Sequence, residues 1–274
     1  MECQLKIDNE PFHFQVEGDF FWGEGGALFE TENNIISKTS WKEAGYSVVD
    51  AFMEDEFERF NRSVRDNIVK AMQDSGIEVD TESFQLKDYH KVVTNDADHL
   101  KVINITRNLT NDDIDFDIDK LADRFGKVLG YTLTSWIEAL QKSHIQIRIS
   151  RPSTLDINPP HRDGYLDYWK DIINVWVPVE GCNEQTSLPV VPGSHLIAEH
   201  EILRTESKGA KINGNTYFVP CILKTKNGNL NMIRPNPKEG QALIFTPFLI
   251  HGAAVNRSEV TRVSIELRFP KIDA

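Results

Sequence analysis

Hydrophobic residues in the first half of the chain recur with a helical period in two stretches. From about Met53 to Asp74, and again from about Ile118 to Lys142, apolar residues return every three or four positions, which places them on one face of a helix. Two glycines weaken the second pattern. The sequence therefore predicts two amphipathic helices, whose apolar faces carry Phe57, Phe60, Val64, Ile68 and Met72 in the first and Leu121, Phe125, Val128, Leu133, Trp136 and Leu140 in the second.

From Ser143 onward the pattern changes to short segments that are rich in β-branched residues and separated by Gly, Pro and Asn. Many short strands in one block predict a sandwich or jelly roll. Helices that precede such a block predict an α+β fold in which helices cover one face of a sheet. The predicted strands are HIQIRIS, DIINVWVPVE, SLPVVPGSH, EHEILRT, NTYFVPCILK, GQALIFTP, LIHGAAV and TRVSIELRF.

Three of these strands separate apolar from polar side chains by strict alternation. Isoleucines at 145, 147 and 149 alternate with Gln146 and Arg148, and the final strand has a similar pattern. Successive side chains of a strand point to opposite faces, so each strand has one apolar and one polar set. The ordinary interpretation is a sheet with one solvated face. A barrel-like sandwich whose polar mouth holds a ligand explains the three strands together.

The bulk properties favour one domain in a chain of 274 residues, of which 40% are hydrophobic. We expect N-terminal strands and supporting helices over residues 1–142 and the jelly-roll core over residues 143–274. Residues 1 to about 40 suggest short strands with glycine turns, without a clear pairing. The polar stretch from about Ser207 to Glu239 suggests a long insertion between strands and a possible lid.

Charge and cysteine content narrow the class of protein. The formal net charge of −12 and a pI of about 5.2 argue against non-specific binding to nucleic acid or to an anionic membrane surface. Three cysteines without a CxxC spacing favour a reducing compartment. Neither a signal peptide nor a membrane-spanning run is recognisable. We therefore expect a cytoplasmic protein with a small-molecule substrate; the oligomeric state stays open.

Four polar residues carry the most specific chemical signal: His161 and Asp163 in PPHRDGY, His251 in FLIHGAA, and Arg262 in VTRVSIELRF. Two imidazoles and one carboxylate can hold iron(II) on one side and leave the opposite positions open. Arg262 can bind the far carboxylate of an oxo-acid through two hydrogen bonds, and Ser264 faces the same way. HxD alone is expected by chance, and a lone histidine is usually a core residue, so the joint pattern carries the hypothesis.

The same segments resemble the phytanoyl-CoA dioxygenase-like family of Fe(II)/2-oxoglutarate-dependent oxygenases. The resemblance runs from WKEAGYSVVDAFM through PPHRDG and NVWVPVEGCNEQTSLPVVPGSH to HGAAVNRSEVTRVSIELRF. It implies a double-stranded β-helix, or cupin-like jelly roll, that uses Fe(II), 2-oxoglutarate and O2. In this chain His161, Asp163 and His251 would then bind iron. Arg262 and Ser264 would bind 2-oxoglutarate, with Trp176 and Gln146 as further candidates for its pocket.

The resemblance also bears on the reaction and the substrate. Relatives that halogenate replace the carboxylate of the HxD motif, so Asp163 favours hydroxylation or a related oxidation. We expect a small polar or anionic metabolite as the substrate. Tyr165 and Trp169 could line the substrate site or pack a loop. Arg148 and Arg268 could neutralise an acidic substrate group or pair with a carboxylate such as Glu266. The competing hypothesis is a metal-binding, cupin-like isomerase or binding protein that does not use 2-oxoglutarate.

Overall fold

The computed structural model describes residues 1–30, 32, 34–212 and 215–272. The helices are α1 Glu54–Asp74, α2 Tyr89–Val92, α3 Asp96–Thr106 and α4 Asp119–Leu129. The strands are β1 Glu2–Ile7, β2 Glu10–Gln15, β3 Phe20–Trp22, β4 Tyr46–Asp50, β5 Trp136–Ile137, β6 Lys142–Ser150, β7 Ile172–Glu180, β8 Ile202–Thr205, β9 Ala210–Ile212, β10 Asn215–Tyr217, β11 Ile222–Thr225, β12 Gly228–Asn229, β13 Asn231–Met232, β14 Gln241–Phe245 and β15 Arg262–Pro270.

The helix predicted from Met53 to Asp74 is confirmed as α1, whose apolar face is buried. The second predicted helix is only half right, because α4 ends at Gly130, in a left-handed backbone conformation that favours glycine. The remainder of the predicted helix contains β5 and a short turn, and Trp136 is exposed. Helix α3 was not predicted, because only three of its side chains are buried and its sequence shows no clear apolar period.

A six-stranded sheet in the order β4-β14-β7-β15-β6-β5 forms the main layer of the fold. One face packs against the helices: the isoleucines of β6, the odd-numbered residues of β7 from Ile173 to Val179 and those of β15 from Val263 to Phe269 join the core of α1 and α4. The alternation along these strands therefore predicted the buried face correctly. The opposite face holds the polar sets and a second apolar cluster around Trp176.

Smaller sheets form the second layer, with the orders β12-β11-β8-β3 and β13-β1-β2. Their apolar side chains make a separate core that includes Leu5, Phe14, Ile222 and Met232. Together the layers form the predicted double-stranded β-helix with flanking helices. The N-terminal strands, whose pairing was open, join this layer: β3 pairs with β8, and β1 pairs with β2 and β13. The single-domain organisation stays a prediction.

The stretch from Ser207 to Glu239 was predicted as an insertion and possible lid, and this is wrong for most of its length. It contributes β9 to β13, and Ala210, Ile222 and Leu230 are buried in the second core. Residues 213 and 214 within it lie outside the described residues.

Two predicted strands, at 187–195 and 249–255, are also wrong as regular strands. Each contributes an isolated bridge instead: His251 bridges to His161 on one side and to Val190 on the other. Pro189 and Pro192 have no backbone N–H, which prevents a continuous ladder in the first segment. The bridges place the two histidine-bearing segments side by side. Among the described residues, no helix is long and apolar enough to span a membrane.

Candidate active site

His161, Asp163 and His251 meet beside the polar face of the main sheet, where Asp163 contacts Asn174 of β7 and Arg268 of β15. Backbone hydrogen bonds in both directions, His161 N–H to His251 O at 2.9 Å and the reverse at 3.1 Å, hold the two histidines opposite each other. The three side chains are buried, and one nitrogen or oxygen atom of each lies within 4.8 Å of the others. Among the described residues this is the one group of His, Cys, Asp or Glu side chains that could hold a metal ion.

The two imidazoles present their Nε2 atoms to the centre of this group. Nδ1 of His161 lies 2.7 Å from the carbonyl of Pro159, and Nδ1 of His251 lies 3.0 Å from that of Leu249. A carbonyl can only accept, so Nδ1 of each ring carries a proton, and in the neutral ring Nε2 keeps its lone pair. Burial lowers the pKa of His251 to about 4, which keeps this ring neutral at physiological pH.

Asp163 supplies the negative charge of the group. Its Oδ2 accepts hydrogen bonds from Nδ2 of Asn174 and from Nη2 of Arg268, each at 2.9 Å. Burial raises the pKa of Asp163, but Arg268 and the two imidazoles outweigh that effect and hold the pKa well below its usual range. Two imidazole nitrogens and one ionised carboxylate form a donor set that fits iron(II).

Arg262 lies at the far end of the same polar face and is 3% exposed. Its Nη1 donates to Oγ of Ser264 at 2.8 Å, and its Nη2 is 3.4 Å from the carbonyl of Ala254, close to His251 in the chain. The buried Nε has no hydrogen-bond partner, and no carboxylate among the described residues forms an ion pair with this guanidinium. A buried, uncompensated cation fits an anionic ligand.

Trp176 and Gln146 face the same interior as Ser264. Trp176 is 1% exposed, and its ring centroid lies 6.0 Å from the guanidinium carbon of Arg262. Gln146 lies opposite Glu266 in the pairing of β6 with β15 and is half-buried. The structure thus brings the candidates for the cosubstrate pocket to one face of one sheet.

The two candidate substrate arginines have different partners. Nη2 of Arg148 donates to Oε2 of Glu266 at 2.8 Å, whereas Arg268 pairs with Asp163 rather than with Glu266. Burial raises the pKa of Glu266, but the opposite effect of Arg148 and Arg268 is larger and lowers this pKa to about 2. Glu266 is therefore an ionised carboxylate within the polar interior. Binding of substrate by either arginine stays a prediction.

Tyr165 and Trp169 pack in different clusters. The Tyr165 hydroxyl donates to Oε1 of Glu199 at 3.2 Å, and its ring packs against the second core. Trp169 is 4% exposed and packs with Ile137 and Ile172. The guanidinium carbon of Arg268 lies 4.3 Å from the centroid of its ring. Both aromatic side chains thus have packing partners, and their contact with substrate stays a prediction.

The sequence hypothesis missed the residues that support the metal-binding group. Asn174 and His144 lie on polar faces that strand alternation identifies, but residue type alone does not indicate that they contact Arg268. Arg162, between the two HxD residues, is fully buried and pairs with Glu199, for which the sequence contains no local signal. His195, predicted to be structural, bonds the carbonyl of Lys42 through Nε2 at 2.8 Å.

The fold and the site together define a class of protein. A double-stranded β-helix that holds two imidazoles and one carboxylate between its layers is typical of non-haem iron oxygenases. Residues 41–264 match the phytanoyl-CoA dioxygenase (PhyH) family, and the chain belongs to that family. It is accordingly an Fe(II)- and 2-oxoglutarate-dependent oxygenase that uses Fe(II), 2-oxoglutarate and O2. Family membership therefore argues against the metal-binding protein without 2-oxoglutarate.

Solved structures resemble the chain at low sequence identity. AviO1 from Streptomyces viridochromogenes Tue57 has a TM-score of 0.50 and 13% identity, covering 85% of this chain and 92% of that chain. EctD from S. alaskensis, with 2-oxoglutarate and 5-hydroxyectoine, has a TM-score of 0.49 and 16% identity, covering 92% and 83%. The α-ketoglutarate-dependent epimerase SnoN, from nogalamycin biosynthesis, has a TM-score of 0.47 and 11% identity, covering 85% and 80%. The likeness to AviO1 supports the fold. No curated protein sequence matches the chain.

Proposed function

We propose that the enzyme hydroxylates a C–H bond of a small polar or anionic metabolite, with release of succinate and CO2. In this proposal His161, Asp163 and His251 hold Fe(II), and Arg262 with Ser264 binds the distal carboxylate of 2-oxoglutarate. The observation that carries it is the buried Arg262 guanidinium, which lacks a carboxylate partner among the described residues although it lies beside Ser264 and Ala254.

Each of the named site residues has a defined task in this proposal. Bound Fe(II), together with 2-oxoglutarate, activates O2 for oxidation of a C–H bond. His161 and His251 would offer Nε2 of their neutral rings to the metal, because their Nδ1–H groups donate to backbone carbonyls and orient the rings. Arg262 fixes the distal end of the cosubstrate through its guanidinium, which orients the whole molecule. The buried Trp176 keeps water away from the cosubstrate pocket.

An anionic or polar substrate is supported by the charges at the interior face. Arg148 is on this face of β6, where its Nη2 pairs with Oε2 of Glu266. Its buried Nε has no hydrogen-bond partner within the chain. We keep Arg148 as the substrate-facing candidate because Arg268 is engaged with Asp163.

The acidic residue of the HxD motif supports hydroxylation. Asp163 would take the coordination position that a halide needs, and hydrogen bonds from Asn174 and Arg268 hold its carboxylate in place. Halogenation would require that this carboxylate be absent. Transfer of oxygen to carbon is therefore the reaction that we propose.

An anaerobic titration tests the cosubstrate site. We would load the protein with Fe(II), add 2-oxoglutarate and follow the weak visible charge-transfer band of the chelate. Removing one partner of a buried charge pair costs about 2 kcal/mol or more, so Arg262→Ala should weaken 2-oxoglutarate binding about 30-fold or more. Arg124→Ala, which breaks the Arg124–Glu56 ion pair on α4 and α1, should bind like wild type.

Equal bands in Arg262→Ala and wild type would overturn the cosubstrate assignment. With the band established, succinate release in the presence of small carboxylic acids, amino acids and their neutral analogues identifies the substrate. Stimulation by neutral apolar compounds alone would contradict the polar or anionic class.

A further inference from the structure

Arg268 is held at four points by residues around the metal-binding group. Its Nη2 donates to Oδ2 of Asp163 at 2.9 Å, its Nε donates to Oδ1 of Asn174 at 3.1 Å, and its Nη1 lies 3.3 Å from Nε2 of His144. Its guanidinium also lies over the ring of Trp169. An arginine with so many partners within the chain has a defined orientation.

Asn174 closes a triangle between Arg268 and Asp163. Its side-chain oxygen accepts from Nε of Arg268, while its side-chain nitrogen donates to Oδ2 of Asp163 at 2.9 Å. The sheet register explains this arrangement, because Arg268 of β15 pairs with His144 of β6 and with Asn174 of β7. The three side chains therefore form one row across the polar face, directly beside Asp163.

The two oxygens of Asp163 differ as a result. Each carboxylate oxygen has about two lone-pair positions. Those of Oδ2 are directed to Arg268 and Asn174, with Nε2 of His251 a further 3.7 Å contact of this oxygen, whereas Oδ1 lies 3.5 Å from Nε2 of His161 and accepts from neither Arg268 nor Asn174. Oδ1 is thus the oxygen that remains for a cation between the imidazoles.

We propose that Arg268 and Asn174 are positioning residues that direct Oδ1 of Asp163 alone toward the metal, and thereby set the metal affinity. The inference rests on the proposed iron site. It concerns the orientation of Asp163 and assigns to neither residue a contact with substrate or cosubstrate.

Two effects of Arg268 on metal binding oppose each other. Its positive charge repels a dication, whereas its hydrogen bonds hold the ligand in place. Residues that orient a metal ligand typically change metal affinity about 10- to 100-fold when they are replaced. We therefore expect orientation to dominate. Arg268→Lys separates the effects, because lysine keeps the charge but cannot reproduce the planar guanidinium that reaches Asp163 and Asn174 together.

Binding of Mn(II) to the metal-free protein tests the inference without turnover. Free Mn(II) is measured by its sharp EPR signal during a titration. Arg268→Met and Arg268→Lys should both bind about 10- to 100-fold more weakly than wild type, and Asn174→Leu should also bind more weakly. Arg124→Met is the matched control, since it removes an ion-paired arginine from α4, outside the site.

The absorption spectrum of Co(II) distinguishes positioning from a purely structural role. If Arg268 directs one oxygen of Asp163, Arg268→Met should change the d–d bands, because the released carboxylate can bind through both oxygens. A role in stability alone would lower the melting temperature and leave the cobalt spectrum as in wild type. Asn174→Leu provides the same measurement if Arg268→Met does not fold.

The outcomes separate this inference from the proposed function. If wild type binds no Mn(II), the proposed iron site fails and the inference fails with it. If wild type binds Mn(II), and Arg268→Met and Asn174→Leu bind equally well with unchanged cobalt spectra, only the positioning role is overturned.

Discussion

The guanidinium of Arg162 donates to the backbone carbonyl of Ser194, whose hydroxyl accepts the backbone N–H of Ile250 at 2.8 Å. Arg162 lies between His161 and Asp163, and Ile250 directly precedes His251. One serine thus connects the two chain segments that carry the metal-binding group. The PGSH segment at 192–195, which contains no member of that group, has a structural role beside it.

We predict that Ser194→Ala destabilises the protein. The substitution removes the acceptor of a buried backbone N–H, and an unsatisfied buried donor costs about 1 to 3 kcal/mol. The urea-unfolding midpoint of the metal-free protein should fall accordingly. Ser83→Ala is the control, since the Ser83 hydroxyl bonds the exposed Asp80 and its loss leaves no buried donor unpaired. An unchanged midpoint for Ser194→Ala would contradict the importance of this connection.

Glu199→Gln should destabilise the fold more strongly. Glu199 pairs with the fully buried Arg162 and also accepts hydrogen bonds from Arg204 and Tyr165, each at 3.2 Å. Breaking a buried ion pair leaves an uncompensated charge, at a cost of about 3 to 5 kcal/mol. Urea unfolding measures this loss. Asp167→Asn, in an exposed pair with Lys170, should leave the midpoint unchanged.

Gly45→Ala should be more damaging than Gly25→Ala, although both glycines have a left-handed backbone. A left-handed conformation costs a non-glycine residue about 1 to 2 kcal/mol, so both variants lose stability. Only at Gly45 would the added Cβ meet buried atoms: Nδ1 of His195 at 2.5 Å and Cδ1 of Leu249 at 2.9 Å. Thermal unfolding should therefore show an additional loss of about 1 to 3 kcal/mol for Gly45→Ala.

Equal melting temperatures for the two glycine variants would contradict the close packing around His195. At Gly25 nothing lies within 4 Å of the added carbon, so that variant reports the backbone cost by itself. The comparison also tests whether the buried His195 of the PGSH segment supports the fold.

The metal-free protein should lose stability as the pH falls from about 6.5 to about 4. Burial lowers the pKa of His99 and of His251 to about 4 in the folded state, against 6.5 for the free side chain. Between these values the unfolded chain binds more protons, so acid favours unfolding by about 1.4 kcal/mol per pH unit for each such histidine.

Urea unfolding at several pH values measures this slope. His99→Gln should make it shallower and leave His161, Asp163 and His251 in place. Full retention of the slope in this variant would contradict the assignment to His99. The carboxylates of Glu56 and Glu266, whose pKa values are about 2 in the folded state against 4.5 for the free side chain, add to the loss of stability as the pH falls from about 4.5 toward 2.

Local patterns in the sequence predicted much of the fold correctly. The alternation along β6, β7 and β15 identified the buried face, since strand geometry alone sends successive side chains to opposite sides. The period of α1 did the same for a helix. The local pattern failed for two helices. Helix α4 ends before Gly130, earlier than predicted, and α3 buries too few side chains to show a helical period.

The sequence by itself identified the candidate site residues, because His161, Asp163, His251 and Arg262 occur together in the order and context of one family, although each motif alone is weak. Only the tertiary structure decided the partners. Arg268 contacts Asp163 because β15 lies between β6 and β7 and sets its side chain beside Asn174. Arg148, which lies opposite Ser264 on the same face of the sheet, pairs with Glu266 instead. Spacing determines the face of a strand, whereas long-range sheet pairing determines which charges on that face meet.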